Sequence, residues 1–480
     1  MIVRENPTHP SEIVGEVATS DAAAVDAAVR AADVAQQDWA RLPLTERADR
    51  VRAALAPLEA ETDRLAILLA REMGKPLPDC RGEIGFARMF GGFVADRAPE
   101  VVTDSEVDDA SGRMLLQHVP YGVVAAITPW NAPVILSMLK VAPALVTGNS
   151  IVVKPSPLAP LAVTDLYAQV AAGLPAGLLQ VIHGDAEAGA ALVGHELTRK
   201  VAFTGGGVTA TAIGRTAAER ITPTVMELGG NDPAVFLADA VIDDAAMARA
   251  VIATFATSGQ VCMASKRLYV HASRFEEFVD AFTAAAADVL VVGDPLVEGV
   301  TMGPVINAAA RDRLLGLRAE SVAAGGRAMD LGTVPDADLM DEGYFVRPAL
   351  VTGLPDDARL VAEEQFGPLV PIQVFDTEDE VIGRANAGDL GLGASVWSAD
   401  EEHAFSVAQR LEAGFRFINT HNRTGMALRA PFGGVKRSGF GREYGDEGLL
   451  EYVQTCVVNA PAAFRPGAEA PTSATAYPGT

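Results

Sequence analysis

The fold follows from one stretch, Lys200-Val-Ala-Phe-Thr204-Gly-Gly-Gly-Val-Thr-Ala210, which has the pattern of a β-strand, a GxGxxA turn and the start of a helix. Glycines in such a turn let the backbone bend tightly and approach a pyrophosphate, which binds at the positive N-terminus of the helix. A glycine motif alone is weak evidence, but here a strand precedes it and a helix follows it, as the motif requires. The stretch therefore predicts a dinucleotide-binding α/β sheet.

Short β-branched runs alternate with Ala- and Leu-rich helical stretches on both sides of this motif. The first region has strands predicted at 122–128, 150–154, 178–183, 200–204 and 224–228, with helices near 133–147, 159–172, 186–194 and 208–219. The second region, 234–411, has strands predicted near 233–237, 267–271, 369–375 and 393–397. Such alternation is typical of parallel, doubly wound sheets that bind ligands at the carboxyl ends of their strands. We therefore predict two α/β domains.

Five further segments are predicted outside these sheets. Residues 21–40, 44–72 and 80–97 have the spacing of amphipathic helices. Residues 101–117 have the pattern of a β-hairpin with its turn at 110–112, which is either an interaction element or an ordinary surface excursion. The last residues are rich in Ala, Pro, Gly, Thr and Ser, so we expect a disordered or loosely draped tail.

The composition limits the class of protein. The chain has 480 residues, of which 49% are hydrophobic, so it is long enough for about two to three folded domains. Its net charge of −24 argues against nucleic acid as a partner, because phosphate binding needs clustered Lys and Arg. Three scattered cysteines form neither a disulfide framework nor a CxxC metal pattern. There is no apolar signal core and no run of roughly 18 to 20 apolar residues, so we expect a cytoplasmic protein without membrane or metal.

Two residues are candidates for catalysis, one as a nucleophile and one as a general base. Cys262 lies in Ser258-Gly-Gln-Val-Cys-Met-Ala-Ser265 and is either a nucleophile or, as most lone cysteines are, a small buried apolar residue. Glu227 ends an apolar strand just before two glycines. A simple motif rule assigns it to a ribose, but burial of a carboxyl raises its pKa and suits a general base, which is the role we favour.

Two polar residues end neighbouring strands. Asn131 lies at a helix entrance, where its amide either donates to a developing oxyanion or serves as a plain N-cap. Lys154 either reaches a ribose or phosphate or is an ordinary solvated lysine. The residues alone leave both alternatives open.

Seven motifs occur in the order and spacing of one family: Pro129-Trp-Asn131, Lys154-Pro-Ser156, Phe203-Thr-Gly205, Glu227-Leu-Gly-Gly230, Gly259-Gln-Val-Cys262, Glu363-Glu-Gln-Phe-Gly-Pro368 and Pro431-Phe-Gly-Gly434. On these motifs the chain resembles the NAD(P)-dependent aldehyde dehydrogenase superfamily over about residues 18–458. The resemblance implies a Rossmann-like dinucleotide-binding domain (1–101 and 121–228), an α/β catalytic domain (229–437) and a small β oligomerisation element (102–120 and 438–462) of a homodimer or homotetramer, followed by the tail, 463–480.

The resemblance also implies roles for single residues. Cys262 is the nucleophile, Glu227 activates water, Asn131 and the Cys262 N–H hold the oxyanion, and Lys140 relays protons. Lys154 and Glu364 hold the two riboses, within a cofactor site of Ile127, Thr128, Pro129, Trp130, Lys154, Ser156, Pro157, Gly184, Thr204, Gly205, Gly206, Leu228, Glu364 and Phe366. The substrate pocket comprises Leu136, Leu139, Val261, Met263, Met426 and Phe432.

The implied reaction oxidises an aldehyde to a carboxylic acid with NAD(P)+ as hydride acceptor, through a thiohemiacetal and a thioester on Cys262 that Glu227-activated water hydrolyses. A free thiol has a pKa of about 8.5, so we expect the site to favour the thiolate. The pocket is mostly apolar, which favours an apolar or aromatic aldehyde, although Arg423 and Arg429 leave open a semialdehyde acid such as succinate semialdehyde. Glu227 argues against a CoA-acylating enzyme and, together with Cys262 and Asn131, against a non-catalytic scaffold.

The chain departs from the family pattern at two positions. NAD-preferring relatives often carry a glutamate at the position of Pro157. Without a carboxylate there, nothing repels a 2′-phosphate, so we predict that NADP is at least tolerated beside NAD. In addition, Gly206 replaces the serine whose hydroxyl normally caps the next helix near the pyrophosphate.

Overall fold

The computed structural model describes residues 1–464 and 467. Its strands are β1 (Ile2–Glu5), β2 (Ile13–Val17), β3 (Ser105–Asp109), β4 (Gly112–Pro120), β5 (Val123–Ile127), β6 (Ser150–Lys154), β7 (Leu179–Val181), β8 (Thr198–Thr204), β9 (Thr224–Glu227), β10 (Asp232–Phe236), β11 (Ser265–His271), β12 (Arg327–Asp330), β13 (Ala349–Thr352), β14 (Leu369–Phe375), β15 (Leu390–Gly391), β16 (Gly393–Trp397), β17 (Phe415–Ile418), β18 (Val435–Lys436), β19 (Gly439–Phe440) and β20 (Val453–Pro461).

Its α-helices are α1 (Ala22–Arg41), α2 (Leu44–Leu55), α3 (Thr62–Met73), α4 (Leu77–Val101), α5 (Pro133–Val146), α6 (Leu161–Ala172), α7 (Ala186–Val193), α8 (Gly207–Glu219), α9 (Asp244–Phe255), α10 (Phe275–Val289), α11 (Ala308–Ala323), α12 (Asp338–Glu342), α13 (Arg359–Ala362), α14 (Glu378–Asn386), α15 (Glu401–Gln409) and α16 (Gly445–Leu450). Of the tail predicted for 463–480, all but residues 463, 464 and 467 lies outside the described residues.

The first sheet has the strand order β19-β9-β8-β5-β6-β7, and every strand but β19 is parallel to its neighbours. Alternate residues of β5 face opposite cores: Val124 and Ala126 pack towards α4, α5 and α6, whereas Val123 and Ala125 pack towards α1, α7 and α8. Because both faces are covered, such a strand is a continuous apolar run in the sequence. The strands and helices predicted for 122–228 are confirmed, with bounds that differ by two residues or fewer.

The second sheet has the order β12-β13-β14-β11-β10-β16-β17 and is parallel except at one edge, where β12 runs antiparallel to β13. The predicted parallel, doubly wound sheets are confirmed, and an antiparallel edge strand adds to each of them, β12 here and β19 in the first sheet. The sequence analysis missed β12, β13 and β17. β12 and β17 are four-residue edge strands, and β13, also of four residues, lies next to β12.

A third, antiparallel sheet has the order β20-β4-β3. It contains the predicted hairpin and pairs β20 with β4 along nine residues, from Val453 opposite Pro120 to Pro461 opposite Gly112. The segment predicted as part of the oligomerisation element, 438–462, contributes to two sheets, because β19 lies beside β9 in the first sheet. The predicted domain boundaries and the role of this element stay predictions.

Helix α4 runs along α5 and brings Asp79 and Glu83, from its first two turns, to the cleft between the two large sheets. Within the ranges described above, no helix combines the length and the apolar composition needed to cross a membrane. No cluster of three or more His, Cys, Asp or Glu suited to a metal ion occurs in residues 1–464 or 467.

Candidate active site

The cleft contains three adjoining cavities. A groove of about 460 Å³ follows the carboxyl ends of β5, β6 and β8, and an apolar cavity of about 320 Å³ lies between α4, α5 and the loop after β17. A third cavity of about 230 Å³ lies between them. Asn131, Leu136 and Cys262 line both the middle and the apolar cavity. The thiol therefore lies where the groove meets the apolar cavity.

A strained turn presents Cys262 at this junction. After α9 the backbone takes left-handed φ values at Thr257 (54°), Ser258 (56°) and Gly259 (69°). Such values are costly for residues with a Cβ and persist only where the surroundings hold them. Ser258 Oγ donates to the carbonyl oxygen of Gly303 at 2.8 Å, and a Cβ on Gly259 would lie 2.3 Å from the Gly367 oxygen. These contacts therefore fix the backbone of the turn that precedes Cys262 in the chain.

The surroundings of the thiol act on its pKa in both directions. Cys262 is partly exposed and lines two cavities, yet the desolvation caused by the protein atoms around its thiol raises the pKa of Cys262 to about 12. The nearby ammonium of Lys266 lowers this pKa, while the carboxylates of Glu364, Asp232 and Glu227 raise it. In this arrangement a base has to take the proton of the thiol, and the expectation that the site favours the thiolate stays a prediction.

Glu227 has the environment of such a base. Glu227 is only 4% exposed, and neither of its carboxyl oxygens has a hydrogen-bond partner among the residues that the structure describes. Burial, followed by the nearby Glu443 carboxylate, raises the pKa of Glu227 well above its usual range. The burial expected from the sequence is confirmed, and a carboxyl with a raised pKa is suited to exchanging protons near neutral pH.

Lys140 lies behind the cavities rather than in them. Its ammonium donates to Thr204 Oγ1 at 2.6 Å, to Glu443 Oε1 at 2.5 Å and to the Leu136 carbonyl at 3.1 Å. Glu443 in turn lines the apolar cavity and acts electrostatically on Glu227. Lys140, Glu443 and Glu227 therefore form one buried group of interacting charges, of which the sequence analysis missed Glu443.

Asn131 is not an N-cap. The N-cap of α5 is Ala132, and the first N–H groups of the helix, those of Val134 and Ile135, donate to Glu83 Oε1 at 2.8 and 3.2 Å. Because a carboxylate from α4 already satisfies these donors, the Asn131 amide is free to point elsewhere. Its Nδ2 donates to the Gln260 carbonyl at 2.9 Å, beside the nucleophile turn.

The groove fits an anionic dinucleotide. Lys154 is 5% exposed, so it is not an ordinary solvated lysine, and among the described residues no carboxylate pairs with its ammonium. Burial lowers the pKa of Lys154, and nearby Asp185 raises it. At the other side of the groove the N-cap of α8 is Gly206, which has no side chain to cap the helix and so leaves its first N–H groups for a phosphate. An unpaired buried cation and an uncapped helix N-terminus together favour an anion there.

Glu364 and Phe366 lie at the end of the groove nearest Cys262. Glu364 Oε1 accepts from the Gly230 N–H at 3.2 Å, and the Phe366 ring contacts Trp130 edge to face at 5.6 Å between centroids. These positions are compatible with contacts to the ribose and nicotinamide of a cofactor whose phosphates lie at α8.

Most residues predicted for the site are brought together. The groove and the middle cavity are lined by every residue of the predicted cofactor set except Gly184, which lies in the turn before α7 beside the lining residue Asp185. All six predicted pocket residues line the apolar cavity. Arg423 lines it as well, whereas Arg429 lies outside it and is exposed. Lining residues that the sequence analysis missed include Phe86, Tyr444, Asp79, Glu83 and Asp185.

A family model described as "Aldehyde dehydrogenase family" matches residues 2–458. The succinate-semialdehyde dehydrogenase of Paenarthrobacter nicotinovorans is 37% identical over 437 residues, which cover 89% of this chain and 94% of that protein. The structure of a betaine aldehyde dehydrogenase from Staphylococcus aureus in complex with NAD+ aligns with a TM-score of 0.90 and 30% identity, over 97% of this chain and 92% of that chain. The structure of an NADP-dependent enzyme of E. coli aligns with a TM-score of 0.89 and 32% identity, over 96% of this chain and 94% of that chain.

The chain belongs to the aldehyde dehydrogenase family. Three predictions are thereby confirmed: the family, the fold of a Rossmann-like and a catalytic α/β unit, and the class of enzyme, an NAD(P)-dependent aldehyde dehydrogenase. The roles of single residues stay predictions.

Proposed function

We propose that this enzyme oxidises an apolar or aromatic aldehyde to the carboxylic acid, with Cys262 as nucleophile. The observation that carries the proposal is the apolar cavity of about 320 Å³ that opens on Cys262 from the side opposite the cofactor groove. Its walls include Phe86, Phe432 and Tyr444, and a wall of aromatic side chains favours apolar and aromatic ligands.

The proposed chemistry follows from the neighbours of the thiol. Glu227, or a water beside it, takes the proton of Cys262, and the sulfur attacks the aldehyde carbon. The Asn131 amide and the Cys262 N–H stabilise the oxyanion. Lys154, Glu364 and the N-terminus of α8 would hold NAD(P)+, which would accept the hydride that the thiohemiacetal on Cys262 loses as it becomes a thioester. Glu227 then deprotonates the water that hydrolyses it, and Lys140 with Glu443 carries protons from Glu227.

The charges of the cavity support a neutral substrate. Each charged side chain that lines it has a partner of opposite charge: Lys75 with Glu83, Arg423 with Asp79 at 2.9 Å, and Glu443 with Lys140 at 2.5 Å. A carboxylated aldehyde would find no unpaired cation and would have to displace Asp79 from Arg423. A semialdehyde acid remains the second candidate, because Arg423 lines the cavity and one relative is a succinate-semialdehyde dehydrogenase.

A CoA-acylating reaction is the weaker alternative, since a buried carboxyl with a raised pKa beside the nucleophile is what hydrolysis requires.

For assembly, we propose self-association through β20, an edge strand with Val457 and Val458 exposed by 54% and 59%. Exposed apolar edges of this kind favour pairing with another chain. The cytoplasmic location stays a prediction.

Initial rates across aliphatic, aromatic and carboxylated aldehydes, each with NAD and NADP, test the proposed function. We expect kcat/KM for an aromatic or medium-length aliphatic aldehyde to exceed that for a carboxylated aldehyde of equal length by at least about tenfold, or roughly 1.4 kcal/mol. A preference for carboxylated aldehydes would contradict the proposal, as would acyl-CoA as the main product when CoA is added. Activity with NADP more than about 1000-fold below that with NAD would contradict the prediction drawn from Pro157.

Asp79→Asn is expected to shift this preference. The substitution leaves Arg423 without its carboxylate, and an unpaired cation about 4 Å from a substrate carboxylate at the protein surface is worth on the order of 1–4 kcal/mol. We therefore expect kcat/KM for carboxylated aldehydes to rise about tenfold while that for neutral aldehydes changes less than about threefold. The matched control is Asp96→Asn, which breaks the ion pair between Asp96, near the other end of α4, and Arg52 of α2. Equal changes for both substrate classes would exclude this role of Asp79.

A further inference from the structure

A buried lysine holds the nucleophile turn from behind. Lys266, at the start of β11, is 3% exposed, and its ammonium donates to the carbonyl oxygens of Val261 at 2.6 Å and Cys262 at 2.5 Å. On its other side the ammonium lies 3.4 Å from Glu364 Oε1 and 5.8 Å from the centre of the Phe366 ring. Lys266 thus lies between the turn that carries the thiol and the residues at the end of the cofactor groove. None of the seven family motifs includes it.

We propose that Lys266 is a positioning residue for the nucleophile: its two hydrogen bonds fix the two peptide groups that flank the Cys262 α-carbon, and its positive charge favours the Cys262 thiolate. The proposal rests on the proposed role of Cys262 and extends it. Fixing these peptides also sets the direction of the Cys262 N–H, the backbone donor assigned to the oxyanion.

The charges around the thiol explain why one cation matters here. Burial and three carboxylates, those of Glu364, Asp232 and Glu227, all raise the pKa of Cys262. Of the groups that act most strongly on this pKa in the described chain, Lys266 alone lowers it. The cations in and behind the apolar cavity are each paired with a carboxylate: Lys140 with Glu443, Lys75 with Glu83 and Arg423 with Asp79. Loss of the Lys266 charge therefore leaves the thiolate surrounded by negative groups, and its formation should require a higher pH.

A merely structural lysine would supply hydrogen bonds but no effect of charge, and two variants separate the roles. Lys266→Gln keeps a donor and removes the charge, whereas Lys266→Arg keeps the charge. The measurement is the rate of Cys262 alkylation by iodoacetamide as a function of pH in cofactor-free protein, quantified by mass spectrometry. We expect the profile of K266Q to move up by about one pH unit, which makes alkylation about tenfold slower at a fixed pH below the pKa. K266R should stay within about threefold of the unsubstituted enzyme.

A matched control lies in β18. Lys436 also donates to two carbonyls, those of Asn386 at 2.7 Å and Gly388 at 3.1 Å, and pairs with Glu412 at 2.6 Å, but its ammonium lies against the loop after α14. K436Q should leave the alkylation profile unchanged. An equal shift for K436Q, or a K266Q profile that coincides with that of the unsubstituted enzyme, would overturn the proposal.

A second variant, expected to shift the alkylation profile in the opposite direction, tests the proposal even if K266Q is unstable. Glu364→Gln removes the carboxylate that faces Lys266 and opposes the thiolate, so it should move the profile to lower pH. No shift, or a shift to higher pH, would contradict the electrostatic role of Lys266. Turnover by Cys262→Ser at a rate near that of the unsubstituted enzyme would instead refute the proposed function, whatever the alkylation profiles show.

Discussion

Glu227→Gln is expected to lower the steady-state kcat for aldehyde oxidation about 1000-fold, within the range of about 100- to 10,000-fold typical of a lost general base. The amide is nearly isosteric but cannot accept a proton from water, so the thioester on Cys262 should accumulate. Rapid mixing should then show a burst of NAD(P)H approaching one equivalent of enzyme, followed by slow turnover, and mass spectrometry should detect acylated Cys262.

Two comparisons make this result specific. Glu447→Gln, at an exposed position of α16, should leave kcat within about twofold, as most exposed substitutions do. Added CoA or another thiol should restore turnover of E227Q if deacylation is the blocked step. A kcat reduced less than tenfold would show that Glu227 is not the hydrolytic base, whereas a slow reaction without acylated Cys262 would mean that Glu227 is needed first to take the thiol proton.

Asn131→Ala is expected to lower kcat/KM about 100- to 1000-fold, the usual cost of removing one oxyanion donor. An amide nitrogen carries two protons, and the Gln260 carbonyl accepts only one of them from Asn131 at 2.9 Å. The second proton is available to the aldehyde oxygen as negative charge develops on it. The effect should fall mainly on kcat, because the interaction strengthens in the transition state.

The control for this variant is Asn307→Ala. Asn307 is a true N-cap, whose side chain accepts from the Ala310 N–H at 2.8 Å, so its loss should reduce stability by about 1 kcal/mol and leave kcat/KM unchanged. Thermal unfolding and initial rates measured on both variants distinguish the two roles of asparagine. Similar kinetics of N131A and the unsubstituted enzyme would argue against the oxyanion role.

Local sequence patterns predicted the parts of the fold that are buried on both faces. Strands such as β6 are continuous apolar runs, and the glycines after β8 indicate a tight turn before α8, so the first sheet could be predicted almost residue by residue. The edges could not, because two-residue strands such as β19 and short ones such as β12 owe their conformation to a partner strand that the local sequence does not reveal.

The candidate site also combines residues that local motifs identify with residues that only distant contacts bring there. Motifs identified Cys262 and Glu227, but the surroundings that set their pKa values come from distant segments. Glu443, which pairs with Lys140 across 303 residues, and Glu83, which satisfies the start of α5 from another helix, carry no local signal. Burial of the thiol, which raises the pKa of Cys262, is likewise a property of packing, and the residues next to Cys262 do not indicate it.

The small strand β19 has a practical consequence for dissecting the enzyme. It comes from residues 439–440, after the whole second sheet, yet it covers the outer edge of β9, the strand that ends in Glu227. A fragment truncated at residue 228 would leave that edge open to the pairing by which uncovered strands aggregate. The dinucleotide-binding half is therefore a poor candidate for expression by itself, and fragment screening or isotope labelling of the cofactor groove calls for the entire chain.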